Sequence, residues 1–503
     1  MPVRTLLREP NLEQLRNLAK TIQRLVRDGD EGAVELAREF HPRIAAAPGA
    51  TPGDDAALGR FTRADAQLTL ARSYGFASWP KLRAHVEVVN RLTRNPHRQA
   101  TGDPLGADAD IVDEFLRLAC LTYGGDDPAR PRRARALLAE HPWLGAANIH
   151  TAAAVGGVAA VQRLLDADPT LAALEGGPHQ WEPLLYLAYS RVDSDAPGHS
   201  AVEVARMLLD AGADPDAGYL WESVYPFTAL TGAFGDGETG RNTPPHRSSI
   251  ELARLLLEAG ADPNDSQTLY NRQWRDDDAH LELLLEHGLG RGTATRWSAR
   301  LGVVEPTPQQ LVEEELRRAA TAGRITRVRL LVDRVDDLDG IGTDHPVHES
   351  RTAHQLAVLR GNTDIAALLE RAGARPRPLD PVDELRAAAM AADRTAVDRL
   401  LAADAGLAAR LVQDHPDLIA SAVEVRRIDA ARLLVGLGFD LNPGDRPTPL
   451  HHAAFHGRLD LVRDLIALGA DPGIADPVHD STPHGWAEFN QQHEVAAYLA
   501  APE

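Results

Sequence analysis

Apolar positions along the chain fall into short, paired helical patterns. In the stretch 458–468, Leu461, Val462, Leu465 and Ile466 recur at i, i+1, i+4 and i+5, which predicts a helix with one apolar stripe. Just ahead of it, "TPLHHAAFHG" (448–457) predicts a shorter helix. Thr448 is a good N-cap, Pro449 suits the first helical position because its missing N–H costs nothing there, and Gly457 can take the left-handed conformation that ends the helix. Ala453 and Ala454 are small where the two helices must approach closely. Such a hairpin cannot bury its stripe alone, so neighbouring copies must stack.

Copies are present. "LLDAGADPD" from Leu208, "LLEAGADPN" from Leu256 and "LIALGADPG" from Leu465 are the clearest, with weaker versions from Leu164, Leu284, Leu368, Leu400 and Leu433. The last four starts, Leu368, Leu400, Leu433 and Leu465, are separated by 32, 33 and 32 residues. Wider intervals upstream require insertions, the clearest being "VDSDAPGHS" (192–200) and "GDGETGRNTPPHRSS" (235–249), each lengthening the turn between a unit's two helices. A period near 33 together with TPLHHAAFHG resembles the ankyrin repeat family. The resemblance implies an all-α fold, a helix-turn-helix repeat solenoid of about 10–11 units over residues 101–503, binding a protein on its concave face. It also implies that His451 links adjacent repeats by hydrogen bonds.

Residues 1–100 do not follow the repeat. Leu12, Leu15, Leu18, Ile22 and Leu25 predict an amphipathic helix after Asn11, and residues 61–92 read as two helices around a turn at Gly75. "HPRIAAAPGATPGDDAALG" (41–59) reads as a linker and 95–110 as a join. The segment is similar to the helical N-terminal region ahead of ankyrin repeats in some bacterial proteins. It is expected to cap the solenoid, with Phe76 and Trp79 plugged onto the first repeat.

Charge narrows the partners. With 73 acidic and 53 basic side chains the net charge is -20, which opposes a phosphate backbone, so nucleic acid is not expected. Lys20 and Lys81 are the only lysines, an arginine bias that with the alanine abundance points to a GC-rich genome. Cys120 is the single cysteine and lies among apolar positions, which predicts a core thiol in a reducing compartment. The N-terminus lacks a continuous apolar signal region, and no stretch is long enough to span a membrane, so the expectation is cytoplasmic.

Candidate chemistry is sparse. His452 and His456 share a helical face, but Ala453 stands where a metalloprotease would carry glutamate, so no metal is expected there. "DHPVHESRTAH" (344–354) offers Asp344, His345, His348, Glu349 and His354 without a known ligand spacing. "GDGETGR" (235–241) fits GxGxxG, yet it follows a first-helix pattern rather than a strand, so no cofactor is expected and Gly235 reads as a helix-ending glycine. Aromatics are concentrated in residues 181–297, which hold four of the seven tryptophans and five of the eight tyrosines. Trp, Tyr and Arg dominate binding hot spots, so Tyr189, Tyr219, Trp221, Tyr225, Tyr270, Arg272, Trp274 and Arg275 are the expected partner contacts. Two readings stand: a protein-binding module without catalysis, or an enzyme or small-molecule binder with an aromatic-lined pocket at 181–297 using His179, Glu222 and Asp236.

Overall fold

The computed structural model describes residues 6, 9–45, 59–98, 110–192, 196–238, 240–303, 306–343 and 348–500. The chain divides into two compact units, Met1–Pro308 and Gln309–Glu503.

In the first unit, helical hairpins follow one another: Ile149–Ala154 with Val158–Ala167, Pro183–Tyr189 with Ala201–Asp210, Ala229–Phe234 with Ser249–Glu258, and Ser266–Arg272 with Ala279–Glu286. Each short first helix packs on the first helix of the next hairpin, and the longer second helices form a parallel series of contacts. The stripes meet here: Leu208, Leu252 and Leu256 have no exposed surface. Each such leucine contributes about 2 kcal/mol when covered, and the covering comes both from the first helix of its own hairpin and from the neighbouring hairpins.

The first helices start on a repeated device. Asn148 with Thr151, Thr228 with Thr231, Thr352 with Gln355 and Thr448 with His451 are capping boxes, in which each side chain satisfies the other residue's backbone N–H. Asp265, Thr295 and Thr482 cap singly. Glycines end several of these helices with positive φ, and at Gly361 (φ 71°) a Cβ would collide with the Met390 carbonyl of the next hairpin, so glycine is required there.

The N-terminal segment has its own core of Leu15, Ala19, Ile22, Val26, Leu70 and Val86, built from helices Leu12–Arg27, Glu31–Phe40, Arg63–Ser73 and Trp79–Leu92. Asn11 caps the first of these as expected, but the buried stripe runs through Ala19 and Val26, and Leu18 is exposed. Helix Glu31–Phe40 is an addition to the helices the apolar pattern predicts. Phe76 and Trp79, expected against the first repeat, pack into this local core. The segment meets the rest of the unit elsewhere: helix Trp79–Leu92 packs against helix Arg296–Leu301, and His85 Nδ1 lies 2.7 Å from the Leu301 carbonyl.

Three short strands depart from the all-α expectation. β1 (Thr93–Arg94) runs parallel to β2 (Gly218–Trp221), which pairs antiparallel with β3 (Tyr225–Thr228). The hairpin occupies the position of a finger loop, and pairing with β1 places the end of the N-terminal segment along it.

The second unit repeats the hairpin from Ala353–Leu359 with Thr363–Ala372 to Pro483–Phe489 with His493–Leu499. His451 links two hairpins: its Nδ1 lies 3.0 Å from the Thr448 amide nitrogen and its Nε2 2.9 Å from the Ser481 carbonyl. Helix Pro308–Thr321 carries buried charge, with Arg317 on Glu314 (3.0 Å), Arg327 on Glu315 (3.1 Å) and His348 on Glu314 (3.0 Å). Burial pushes the Glu314 carboxyl up, but His348, Arg318 and Arg317 outweigh it and hold it below its ordinary value.

Asp476 anchors the loop before the last hairpin. Its carboxylate accepts from Trp486 Nε1 (2.8 Å) and from the amides of Val478 (2.9 Å), His479 (2.8 Å) and Ser481 (3.3 Å). Burial opposes the charge, yet these donors together hold the carboxyl down at about 2. A depressed acid contributes stability above its unfolded value of 3.8 that is lost as pH falls towards 2. Asp476→Ala is expected to cost about 1–3 kcal/mol at pH 7 in urea unfolding followed by tryptophan fluorescence, with the difference from wild type shrinking between pH 4 and 2.

Candidate partner-binding surface

The aromatic residues of 181–297 divide into a buried group and a surface group. Trp181, Tyr186, Tyr189 and Tyr219 are each at most 1% exposed. Trp181 stacks on Tyr219 at 5.0 Å between ring centres and leans on Tyr189 at 5.0 Å, and Tyr219 continues to Phe227 at 5.8 Å. Tyr189 donates its hydroxyl to the Thr228 carbonyl (2.9 Å), and Gly232 leaves room for its ring. Tyr189 and Tyr219, expected as partner contacts, are therefore core residues, since covering them recovers more apolar area than any neighbouring aliphatic residue could supply. His179 joins the same cluster, 4.5 Å from Trp181 and 5.9 Å from Tyr186, and burial among rings with Arg130 and Arg117 nearby pushes its imidazole down to about 3. It is neutral and buried, which removes it as a base for a substrate in solvent.

Trp221 and Glu222 lie on the β2–β3 finger but are claimed by the chain itself. Trp221 packs against His97 at 4.6 Å and donates its indole N–H to the Thr122 carbonyl (3.3 Å). Glu222 stands 3.6 Å from His97 and 3.9 Å from Arg98. The turn is tight, with Glu222 and Ser223 both at positive φ (49° and 66°), the twist a two-strand hairpin requires. Beyond it, Val224 and Tyr225 are 45% and 43% exposed.

A second surface feature gathers around Asp236, which sits at φ 55° on the insertion just after the helix-ending Gly235. Its buried carboxylate pairs with Arg272 (3.2 Å) and with Arg275, and Arg272 also makes a two-pronged pair with Asp277 at 2.8 Å. Arg272 is thus 6% exposed and acts as an internal tie, whereas about half of the Arg275 side chain remains in solvent. Tyr270 donates to Glu238 (2.5 Å) and meets Trp274 edge-on at 5.1 Å. Trp274 is 47% exposed. Tyr270, Trp274 and Arg275 therefore form one patch on a base stiffened by ion pairs.

His179, Glu222 and Asp236 are each engaged by different neighbours: aromatic rings for His179, His97 and Arg98 for Glu222, and Arg272 and Arg275 for Asp236. A cavity of about 400 Å³ does open beside the finger, lined by Tyr225, Trp297, Asp265 and His85. Its acid and base are both engaged in structural bonds: Asp265 caps helix Ser266–Arg272 by accepting from the Thr268 amide (2.8 Å) and bonds the Thr228 hydroxyl, while His85 is held by Leu301 and pushed down by burial.

The other motifs take structural places. Cys120 is buried and burial pushes its thiol up to about 12, so it is no nucleophile at neutral pH. In the 344–354 stretch, Asp344 and His345 lie outside the described residues, His348 pairs with Glu314, and His354 Nε2 is 2.8 Å from Glu370. Among the described residues no three His, Cys, Asp or Glu side chains gather as a metal site, and no helix is long and apolar enough to cross a membrane.

The hairpins of the second unit define a class. Residues 385–476 match the family model for ankyrin repeats in three copies. Calmodulin-binding transcription activator 3 of Arabidopsis thaliana is similar over 73 residues at 40% identity, a match covering 14% of this chain and 7% of that protein. The likeness is thus one of a segment, not of whole proteins.

Glu182 lies beside the aromatic core with its Oε2 buried and without a hydrogen-bond partner. Burial, with Asp214 and Glu175 nearby, pushes its carboxyl up to about 7. An acid raised in the folded state destabilises once ionised, so stability falls as pH rises from 4.5 to 7. Glu182→Gln is expected to leave the melting temperature unchanged at pH 4 and to raise it by a few degrees at pH 8, read by differential scanning calorimetry at both values.

Proposed function

We propose that the protein is a non-catalytic interaction module that holds another protein against a stacked ankyrin-type surface. The observation that carries this is the run of ankyrin repeats at 385–476, because such repeats generally present rigid finger loops and first-helix faces to protein partners. The first unit extends the reading: its hairpins stack in the same way, and of the expected contact set Tyr225, Trp274 and Arg275 are exposed, with Tyr270 half-buried beside Trp274. In this reading the hairpins of 101–503 belong to a solenoid, and the segment before residue 100 is its N-terminal cap. The partner is a protein or peptide with apolar side chains for Trp274 and Tyr225 and an acidic or carbonyl group for Arg275. The chain's acidity disfavours nucleic acid, and the lone buried thiol suits the cytoplasm of a bacterium with a GC-rich genome.

The enzyme reading has weaker support, because the groups it needs are buried, paired or separate. Rigid aromatic anchors account for the exposed tryptophan without chemistry.

Affinity capture from the native cell with mass spectrometry tests the reading. Trp274→Ala combined with Tyr225→Ala is expected to weaken the dominant protein partner at least ten-fold, with circular dichroism unchanged, since exposed aromatic anchors of this kind cost about 2 kcal/mol or more in binding and little in folding. Retention of that partner at wild-type strength by the double variant would remove the assignment.

A further inference from the structure

A second cavity, of about 320 Å³, lies away from the aromatic patch in the first unit. One wall is the loop and helix start at 118–135; the other is Arg191 and the insertion residues 241–247. Five arginines line it, Arg130, Arg135, Arg191, Arg241 and Arg247, against two carboxylates, Asp126 and Asp127. In a chain with a net charge of -20, this is a local reversal of sign.

The two carboxylates already have structural work. Asp126 accepts from the amides of Thr122 (3.1 Å) and Tyr123 (2.6 Å) and pairs with Arg130, and Asp127 caps the amide of Ala129 (2.6 Å). Arg130 and Arg191 are 5% and 6% exposed, so the cationic floor is built rather than incidental. Arg130 also donates to the carbonyls of Arg117 (2.6 Å) and Cys120 (3.2 Å), while its buried Nε has no hydrogen-bond partner. Arg191 donates to the carbonyls of Pro244 (2.7 Å) and Gly232 (2.7 Å), fixing the insertion as the opposite wall, and Arg135 donates to the Arg191 carbonyl. Arg191, whose other nitrogen is held by the Ala188 and Ser190 carbonyls, keeps its charge because carbonyls orient a guanidinium without neutralising it, whereas the charge of Arg130 is matched by Asp126. Arg241 and Arg247 stand at the exposed rim.

We propose that this arginine-lined cavity is a binding site for a small oxyanion of the phosphate-ester class. A planar guanidinium fork such as that of Arg241 at the rim matches phosphate oxygens two at a time, while Arg191, its N–H groups already on carbonyls, contributes charge from below, and a cation held by walls such as Leu118, Leu121 and Pro128 attracts an anion more strongly than one in open water. The volume lies at the lower end for small-molecule sites, enough for a phosphate group with a short organic portion. The site is independent of the protein-binding reading, since it shares no side chain with the Trp274 patch.

The test is calorimetric titration of the full chain with orthophosphate and with pyrophosphate, against sodium chloride at matched ionic strength, with melting temperature recorded in parallel. Saturable binding and a rise in melting temperature are expected, stronger for pyrophosphate. Arg241→Ser with Arg247→Ser, at the rim, is expected to keep the unliganded melting temperature and lose at least ten-fold in affinity. Arg463→Ser, elsewhere in the chain, should bind as wild type. No saturable heat with either probe, or the same heat in the rim variant, would overturn the proposal as a general effect of salt.

Discussion

Most of the described hairpins depend on a first helix too short to stand alone. Helices of six or seven residues lie far below the length at which isolated helices persist in water, because nucleation orders several residues before any hydrogen bond returns energy. Two things compensate: side-chain caps that satisfy the first amides, and close contact with the first helix of the next hairpin. Alanines at 152–154 and 453–454, and glycines such as Gly361, permit that approach. His451 joins the two devices, bonding its own helix start through one ring nitrogen and the next hairpin through the other. Removing such a contact leaves both neighbours with exposed leucine stripes, so stability is shared along each unit.

Where the regular pattern is interrupted, the protein substitutes larger side chains and longer ties. The β2–β3 finger and the insertions widen the space between hairpins, and Trp181, Tyr186, Tyr189 and Tyr219 fill it. The N-terminal segment joins the same region through β1 and His97, so part of the finger faces its own chain and not a partner. The large apolar side chains that stay exposed in this region are Val224 and Tyr225 beyond the turn and Trp274.

Arginine serves inside this acidic chain as a structural cross-link. Arg191 gathers carbonyls from two hairpins, Arg272 bridges Asp236 and Asp277, and Arg317 and Arg327 close a buried network in the second unit. Replacing one member would strand the others in a poorly solvating interior, a larger loss than the net worth of the pair. The same geometry that ties loops down also concentrates positive charge at the 118–135 cavity.

The helix starts at Thr448 and Thr482, the stops at Gly235 and Gly457, the paired leucines and the core placement of Cys120 were all legible in the chain, because caps, left-handed glycines and apolar periodicity act over three or four residues. Which aromatics face inwards was not: Tyr189 and Trp274 occur in equally rich surroundings, and only the packing of separate hairpins separates a core ring from a surface one. The same holds for β1, whose partner Leu220 lies in a distant part of the chain, for Phe76 and Trp79, and for the ion pairs that claim Arg272 and Glu222. Local sequence determined the repeating hairpin; contacts between residues far apart decided which of its side chains remain free to meet another molecule, because burial is a property of neighbours that the chain brings together only when it folds.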